Sequence, residues 1–128
     1  AHAAARLPVD IATVVCGAAE PFVQVVYDLD IPSMTSGRAC LLGDAAFLGR
    51  PHAAAGTAKA ADDAWALARA LDRNDSVVEA LEDYGRSQTE VGRGLISRTE
   101  RIGRRSQVDN SWVPGDPEFF FGLRGPGQ

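Results

Sequence analysis

The residues with the clearest potential for chemistry lie between positions 37 and 64. The chain reads Gly-Arg-Ala-Cys-Leu-Leu-Gly-Asp-Ala-Ala from residue 37 and Pro-His-Ala-Ala-Ala-Gly from residue 51, and an Asp-Ala pair follows at Asp63. Asp44 directly follows a short apolar run, and open α/β sheets bind ligands at the carboxyl ends of their strands. We therefore expect the Asp44 carboxylate to accept a hydrogen bond from a ligand. Gly-Asp is also a common turn pair, so a turn-capping role for Asp44 is the alternative.

A helix is predicted to begin close to this carboxylate. Residues 57–71 carry apolar side chains at helical spacing, namely Ala61, Ala64, Trp65, Ala68 and Leu71, and Trp65 is expected in the core. A helix N-terminus presents unpaired amides and about half a unit of positive charge. Residues 53–56 add little side-chain bulk, so a flat ligand could lie against their backbone. The pattern predicts a site for a flat, anionic or electron-rich ligand.

Together these residues resemble the GD motif of the class A flavoprotein monooxygenases, the family of p-hydroxybenzoate hydroxylase. In that family Gly-Asp-Ala-Ala precedes a Pro, a Gly-rich loop and an Asp-Ala pair, and the spacing matches from Gly43 to Ala64. Residues 50–59 look closest to the 2,6-dihydroxypyridine hydroxylase branch. The resemblance implies an α/β fold class, as the helix-rich C-terminal portion of a p-hydroxybenzoate-hydroxylase-like FAD-binding fold with a strand-loop-helix unit and a long helix.

The resemblance also implies how individual residues bind FAD. Asp44 would accept a hydrogen bond from a ribityl hydroxyl, and Pro51 would lie near the reactive edge of the isoalloxazine. The amides at the start of the helix would face the pyrimidine side of the ring, where the helix dipole stabilises the charge of reduced flavin. The implied catalytic residues are Pro51 and His52, and the implied cofactor-binding residues are Gly43, Asp44, Ala55, Gly56, Thr57 and Ala58. No metal site is implied.

The family's reaction enters as a further implication. NAD(P)H supplies the electrons, FAD activates oxygen, and one oxygen atom enters a hydroxylated aromatic or pyridine ring; the sequence does not distinguish NADH from NADPH. The implied partners are an aromatic small-molecule substrate and an N-terminal half that binds the rest of FAD. The 128 residues contain no Gly-x-Gly-x-x-Gly, the motif that cradles a dinucleotide pyrophosphate. We therefore expect the chain alone to bind FAD poorly, and a non-catalytic, truncated structural or dimerisation module is the alternative.

Some positions depart from the family pattern. Many relatives have His at Phe47, Gly-Gly-Gln at 53–55 and Asn at Ala58, so we expect contacts from the backbone rather than from these side chains. His52 lies in a loop, where a histidine more often has no catalytic duty. Asp62 and Asp63 also complement the positive end of their helix, which explains them without a ligand.

The segment before the motif predicts one helix and two strands. Residues 7–15 predict a short helix with Pro8 in its first turn, ended by Gly17. Alternating apolar residues predict a strand over 21–29, and the apolar run 39–43 predicts a short strand buried on both faces. Because strands with open edges pair with other chains, we expect a homo-oligomer.

The segment after the motif predicts a long helix and a tail. Ser76 and Glu79 have the spacing of a capping box, and the helix continues to about Arg105, with weak points at Gly85, Gly92 and Gly94. From Pro114 the tail is expected to be irregular and partly packed. The predicted units are 1–36 as the edge of a substrate domain, 37–73 as the FAD-binding strand-loop-helix, and 74–128 as the C-terminal helix and tail.

Composition limits the classes of partner. With 45% hydrophobic and 23% charged residues the chain is typical of a globular unit, and its net charge of −4 gives no general attraction to nucleic acid or an anionic membrane. No apolar stretch is long enough to predict a membrane span, so a cytoplasmic location is expected. Cys16 and Cys40 lie in apolar runs and are expected to be buried, reduced thiols.

Overall fold

The computed structural model describes residues 2–125 and 127–128. Within them the α-helices are α1 (His2–Arg6), α2 (Val9–Gly17), α3 (Gly56–Arg73) and α4 (Val77–Gly103), and the two-residue strands are β1 (Leu29–Asp30), β2 (Thr35–Ser36), β3 (Ala39–Cys40) and β4 (Phe47–Leu48). The strands form two small antiparallel ladders, β1 with β4 and β2 with β3. The architecture is helix-rich, with its main contact between α3 and α4.

The strand predicted over 21–29 forms only at its last residue, and the short strand predicted over 39–43 forms only at its first two residues. Residues 21–28 form no ladder with any described residue, and only Leu29–Asp30 pairs, with β4. The 39–43 run is also not a strand buried on both faces: β3 has two residues, and Leu41 and Leu42 are exposed. A strand needs a neighbour with which to exchange backbone hydrogen bonds, and apolar alternation alone does not provide one.

The predicted helices form close to their predicted limits. The first begins at Val9, so Pro8 lies just before it rather than in its first turn. The long predicted helix, α4, begins after Ser76 and runs for 27 residues into a π-helical turn at Arg104–Val108. Ser76 makes no side-chain capping bond, so the capping-box prediction is wrong in that detail although the helix starts as expected.

The buried face of α3 differs from the predicted one. Its buried residues are Lys59, Asp63 and Ala70, whereas Trp65 is 65% exposed, so the core assignment of Trp65 is wrong. The predicted stripe, which also includes Ala61, Ala64, Ala68 and Leu71, is exposed throughout. Hydrophobicity alone selected this stripe, but a Lys and an Asp one turn apart neutralise each other and can be buried together.

Two of the three glycines predicted as weak points in α4 are contact sites instead. A Cβ atom on Gly92 would lie 2.3 Å from the Phe47 ring, and one on Gly85 would lie 2.7 Å from Thr35 Oγ1. Gly94 has nothing within 4 Å of its Cβ position. Because Gly85 and Gly92 have no side chains, Thr35 and Phe47 can pack directly against the backbone of α4. The helix continues through all three glycines without interruption. The core there consists of Met34, Ala46, Phe47, Ala70, Ala80 and Tyr84.

The tail is irregular and partly packed, as predicted. Its described residues include a 3-10 turn at Pro117–Phe119, and Leu123 packs in a small cluster with Ala53, Ala55 and Leu95. Both cysteines are free thiols as predicted, but Cys16 is exposed rather than buried, and Cys40 is half-buried. Among the described residues no helix is both long and apolar enough to span a membrane.

Candidate functional site

A cleft of about 380 Å³ lies where the segment after β3 meets the start of α3. Five residues predicted to bind or act on a cofactor line it together: Asp44, Pro51, Ala55, Gly56 and Thr57. The rest of its wall comes from neighbouring loop residues and from α4, namely Phe47, Leu48, Gly49, Arg50, Ala54, Leu95 and Thr99. The fold thus brings most of the motif to one place.

The turn at Gly43 directs Asp44 into this cleft. Gly43 is buried with a φ of +57°, a left-handed conformation that glycine adopts without strain, and a Cβ there would lie 3.2 Å from Ala60 Cβ. Asp44 follows within a 3-10 turn and is exposed. The Cβ position of Gly56 is 3.9 Å from Asp44 Oδ1. The carboxylate is therefore beside the N-terminus of α3.

The N-terminus of α3 has no side-chain cap. Ala55 is the capping residue and makes no side-chain hydrogen bond, and Ala54 before it has a left-handed φ of 49°. The first amides of a helix have no partner within the helix, so those of α3 remain available to a ligand in the cleft. This left-handed conformation is uncommon outside glycine and costs about 1 kcal/mol. Strained residues of this kind cluster at ligand-binding loops.

A buried polar cluster lies directly behind the Gly43 turn. Lys59 and Asp63 are both 0% exposed, and Lys59 Nζ lies 2.6 and 2.8 Å from the two Asp63 carboxylate oxygens. Asp63 Oδ2 also accepts the Gly43 backbone N–H at 2.7 Å. The Gln88 amide, with its nitrogen turned to the carboxylates, donates to Asp63 Oδ1 at 3.0 Å. Sequence reasoning missed Lys59 and Gln88, although the i,i+4 spacing of Lys59 and Asp63 was a signal.

The remaining predicted residues lie around the cleft rather than in it. A Cβ on Gly103 would lie 2.5 Å from His52 Nε2, so the half-buried imidazole packs on α4, and it is not part of the cleft wall. Ala58 is exposed on α3 and is also not in the wall. Gly43 is buried behind Asp44.

A larger groove of about 960 Å³ runs between α3 and α4, but none of the motif residues lines it. Arg69, Arg73 and Arg86 are among the arginines at its wall, and Tyr84 closes one side. Burial and the nearby Asp63 carboxylate raise the pKa of Tyr84, whose hydroxyl donates to the Leu41 carbonyl at 2.8 Å. We assign the candidate site to the smaller cleft because the motif residues meet there.

Comparison with known proteins identifies relatives of the chain. No protein-family model matches it. It is 41% identical over 109 residues to 2,6-dihydroxypyridine 3-monooxygenase of Paenarthrobacter nicotinovorans, covering 85% of this chain and 28% of that protein. It is 34% identical over 83 residues to Aurachin C monooxygenase/isomerase of Stigmatella aurantiaca, covering 65% of this chain and 22% of that protein. The solved structure of 2,6-dihydroxypyridine-3-hydroxylase from Arthrobacter nicotinovorans aligns with a TM-score of 0.79 at 38% identity, over 94% of this chain and 30% of that chain.

The chain belongs to the FAD-dependent monooxygenases. The predicted family resemblance is therefore confirmed, including its leaning toward the 2,6-dihydroxypyridine hydroxylase branch. The chain spans 28% of the length of the first of these relatives. Its helix-rich fold with small sheets agrees with the corresponding part of a monooxygenase of this family.

The cleft has the donor set that one part of FAD requires. The Asp44 carboxylate can accept from a hydroxyl, and the uncapped α3 amides can donate to carbonyl oxygens and a ring nitrogen. Small residues at 54–56 leave the backbone accessible to a flat ring. The residues present therefore fit the ribityl chain and the ring of the family's cofactor.

The tail supports this wall from the opposite side, which the sequence did not reveal. The Gly122 backbone N–H donates to the Ala53 carbonyl at 3.1 Å. Arg98, 6% exposed on α4, donates to the carbonyls of Phe120 and Gly122. Through these bonds α4 and the tail hold the loop that precedes α3.

Earlier in the tail, ion pairs fix the Pro117–Phe119 turn. Arg105 binds Glu118 at 2.6 Å and also Asp116, and Arg101 binds Glu118 at 2.8 Å. The backbone N–H of Glu118 and the Arg105 guanidinium hold the pKa of Asp116 below its usual value. Hydrogen bonds from Arg101 and Arg105 likewise lower the pKa of Glu118.

Proposed function

We propose that this chain forms the ribityl and ring wall of the flavin site in an FAD-dependent hydroxylase. The enzyme inserts one oxygen atom of O2 into a hydroxylated aromatic or pyridine ring at the expense of NAD(P)H. Bound FAD supplies the redox chemistry and the activation of oxygen. The observation that carries the proposal is the Asp44 carboxylate beside the uncapped N-terminus of α3, in a cleft shared with Pro51.

The roles of the chain's own residues follow from their positions. Asp44 would accept a hydrogen bond from a ribityl hydroxyl of bound FAD and so help to orient the cofactor in the cleft. The amides of Gly56 and Thr57 stabilise negative charge on the pyrimidine side of the ring through the helix dipole. Pro51, which lines the cleft, would lie near the reacting edge of bound flavin. His52 packs on α4 at Gly103 outside the cleft wall, so its proposed role is to orient the loop rather than to move a proton.

Residues outside this chain are needed to complete the site. None of the described residues that line the cleft forms a glycine-rich loop for the pyrophosphate. Apolar residues on α2 and on 22–27 are exposed, such as Val9, Ile11, Val14, Phe22, Val23 and Tyr27. Large apolar side chains exposed in this number favour a contact with further protein. We propose that an N-terminal, nucleotide-binding part of the enzyme covers this surface.

A chimaera tests the proposal directly. This chain replaces the matching segment of the Paenarthrobacter enzyme, and the product (hereafter the chimaera) is purified and assayed for bound FAD and for NAD(P)H oxidation with 2,6-dihydroxypyridine. We expect a yellow protein with one FAD, and we expect Asp44→Asn to weaken FAD binding about tenfold or more, as loss of a charged acceptor does. The control is Asp75→Asn, an exposed carboxylate in the α3–α4 link. A folded, colourless chimaera would disprove the proposed function and favour a structural module.

A further inference from the structure

The Lys59–Asp63 pair has a feature that an ion pair buried for stability alone does not need. Besides Lys59 and Gln88, the Asp63 carboxylate binds a backbone amide 20 residues earlier in the chain, that of Gly43. Gly43 immediately precedes Asp44, the proposed ribityl acceptor. A buried carboxylate on α3 therefore holds the turn from which Asp44 projects.

The geometry joins two parts of the proposed ribityl and ring wall to one helix: the turn that carries Asp44, and the free amides at the start of α3. Asp63 lies seven residues after Gly56, which places it about 10 Å along the helix from the first amides of α3. The helix thus carries the amides at its start and the anchor for Gly43 two turns later. The Gly43–Asp63 hydrogen bond therefore ties the Asp44 turn directly to α3, in addition to the chain connection through residues 45–55.

We propose that Asp63 is a positioning residue for the ribityl and ring wall. By accepting a hydrogen bond from the Gly43 amide, it sets the position of Asp44 relative to the N-terminus of α3. Lys59 neutralises the Asp63 carboxylate, and Gln88 fixes its rotation. What Asp44 contacts rests on the proposed function, but the anchoring of Gly43 does not.

Two double variants separate anchoring from charge burial. Lys59→Met removes the buried ammonium in both. With Asp63→Asn, the side-chain oxygen still accepts the Gly43 N–H and the Gln88 amide can rotate to accept from the new NH2 group. With Asp63→Leu, the volume is similar but the acceptor is gone. A buried ion pair can be replaced by apolar residues without loss of fold, so both variants are expected to fold.

Hydrogen exchange at Gly43 is the first readout, measured on the full chain without cofactor. We expect the Gly43 amide to exchange about tenfold faster in K59M/D63L than in K59M/D63N, while the amides of α4 exchange alike in both. Equal Gly43 exchange in the two variants would overturn the proposal. So would loss of the fold in either variant, because Asp63 would then serve general stability.

The second readout is FAD affinity and the flavin absorption spectrum of the chimaera. We expect K59M/D63N to bind FAD close to the parent chimaera and K59M/D63L to bind about tenfold more weakly, with a broadened spectrum from a more solvated ring. Equal affinity and spectra in both would overturn the positioning role. If the parent chimaera binds no FAD, the proposed function fails, and the exchange experiment still decides whether Asp63 anchors Gly43.

Discussion

The ring of Phe47 lies against the backbone of α4 at Gly92, where a Cβ would be only 2.3 Å from the ring carbons. Phe47 is 1% exposed and belongs to the main core cluster. It also lies three residues after Asp44 and lines the cleft. One contact therefore joins the core to the site: the loop that carries the motif can pack only because position 92 has no side chain.

Gly92→Ala should destabilise the chain by about 1–3 kcal/mol, because the new methyl group forces the Phe47 ring or the helix to move. The measurement is urea unfolding followed by circular dichroism. Gly94→Ala is the matched control on the same helix. Nothing lies within 4 Å of its Cβ position, so it should stabilise the chain by up to ~1 kcal/mol through helix propensity. Equal effects of the two substitutions would contradict the Phe47 contact.

Gly43→Ala should cost more stability than Gly37→Ala. Both glycines have a φ of +57°, so both substitutions introduce the same backbone strain of about 1 kcal/mol. Only at Gly43 does the new Cβ also meet another atom, Ala60 Cβ at 3.2 Å. The difference in unfolding free energy between the two variants measures this crowding, and we expect it to be about 1 kcal/mol. A Gly37 variant that is the less stable of the two would show that the Gly43 turn is not packed on α3.

Arg98→Met should detach the tail from α4. The substitution leaves the carbonyls of Phe120 and Gly122 without their buried donor, at a cost of about 1.5–3 kcal/mol. The check is limited proteolysis, in which cleavage between residues 117 and 125 should become faster. Arg101→Met is the control, because its ion pair with Glu118 is 57% exposed on the arginine side and is worth at most ~1 kcal/mol. Slow cleavage in both variants would contradict the role of Arg98.

Acid should loosen the tail before it unfolds the helices. The folded state lowers the pKa of Asp116 and of Glu118, so their contribution to stability is complete above the usual value of 4.5 for a glutamate and is lost as the pH falls through the lowered values. Trp112, whose ring lies 6.1 Å from that of Phe119, reports on this segment by fluorescence in a Trp65→Phe background.

In that background we expect a fluorescence change below about pH 4.5 that Asp116→Asn removes or reduces, since Asn carries no charge to lose. Asp72→Asn, on the exposed end of α3, should leave the transition unchanged. An acid transition that persists unaltered in the Asp116 variant would assign it to other carboxylates.

Local sequence signals determined much of the site. Gly43-Asp44 and Pro51 identified the family, because a turn that needs a left-handed glycine and a carboxylate after it is encoded by neighbouring residues. The limits of α3 and α4 were also predictable, since helix formation depends on contacts three and four residues apart.

The tertiary structure alone decided which surfaces are buried. The exposure of the stripe at Trp65, the burial of the Lys59–Asp63 pair and the glycine contacts of α4 all depend on residues distant in sequence. The failed strand over 21–28 has the same cause, because a strand exists only where a second strand accepts its hydrogen bonds. The sequence therefore determined which residues form the motif and the helices. Packing between distant segments decided what holds Asp44 in place, because burial and hydrogen-bond pairing depend on partners that no local sequence pattern encodes.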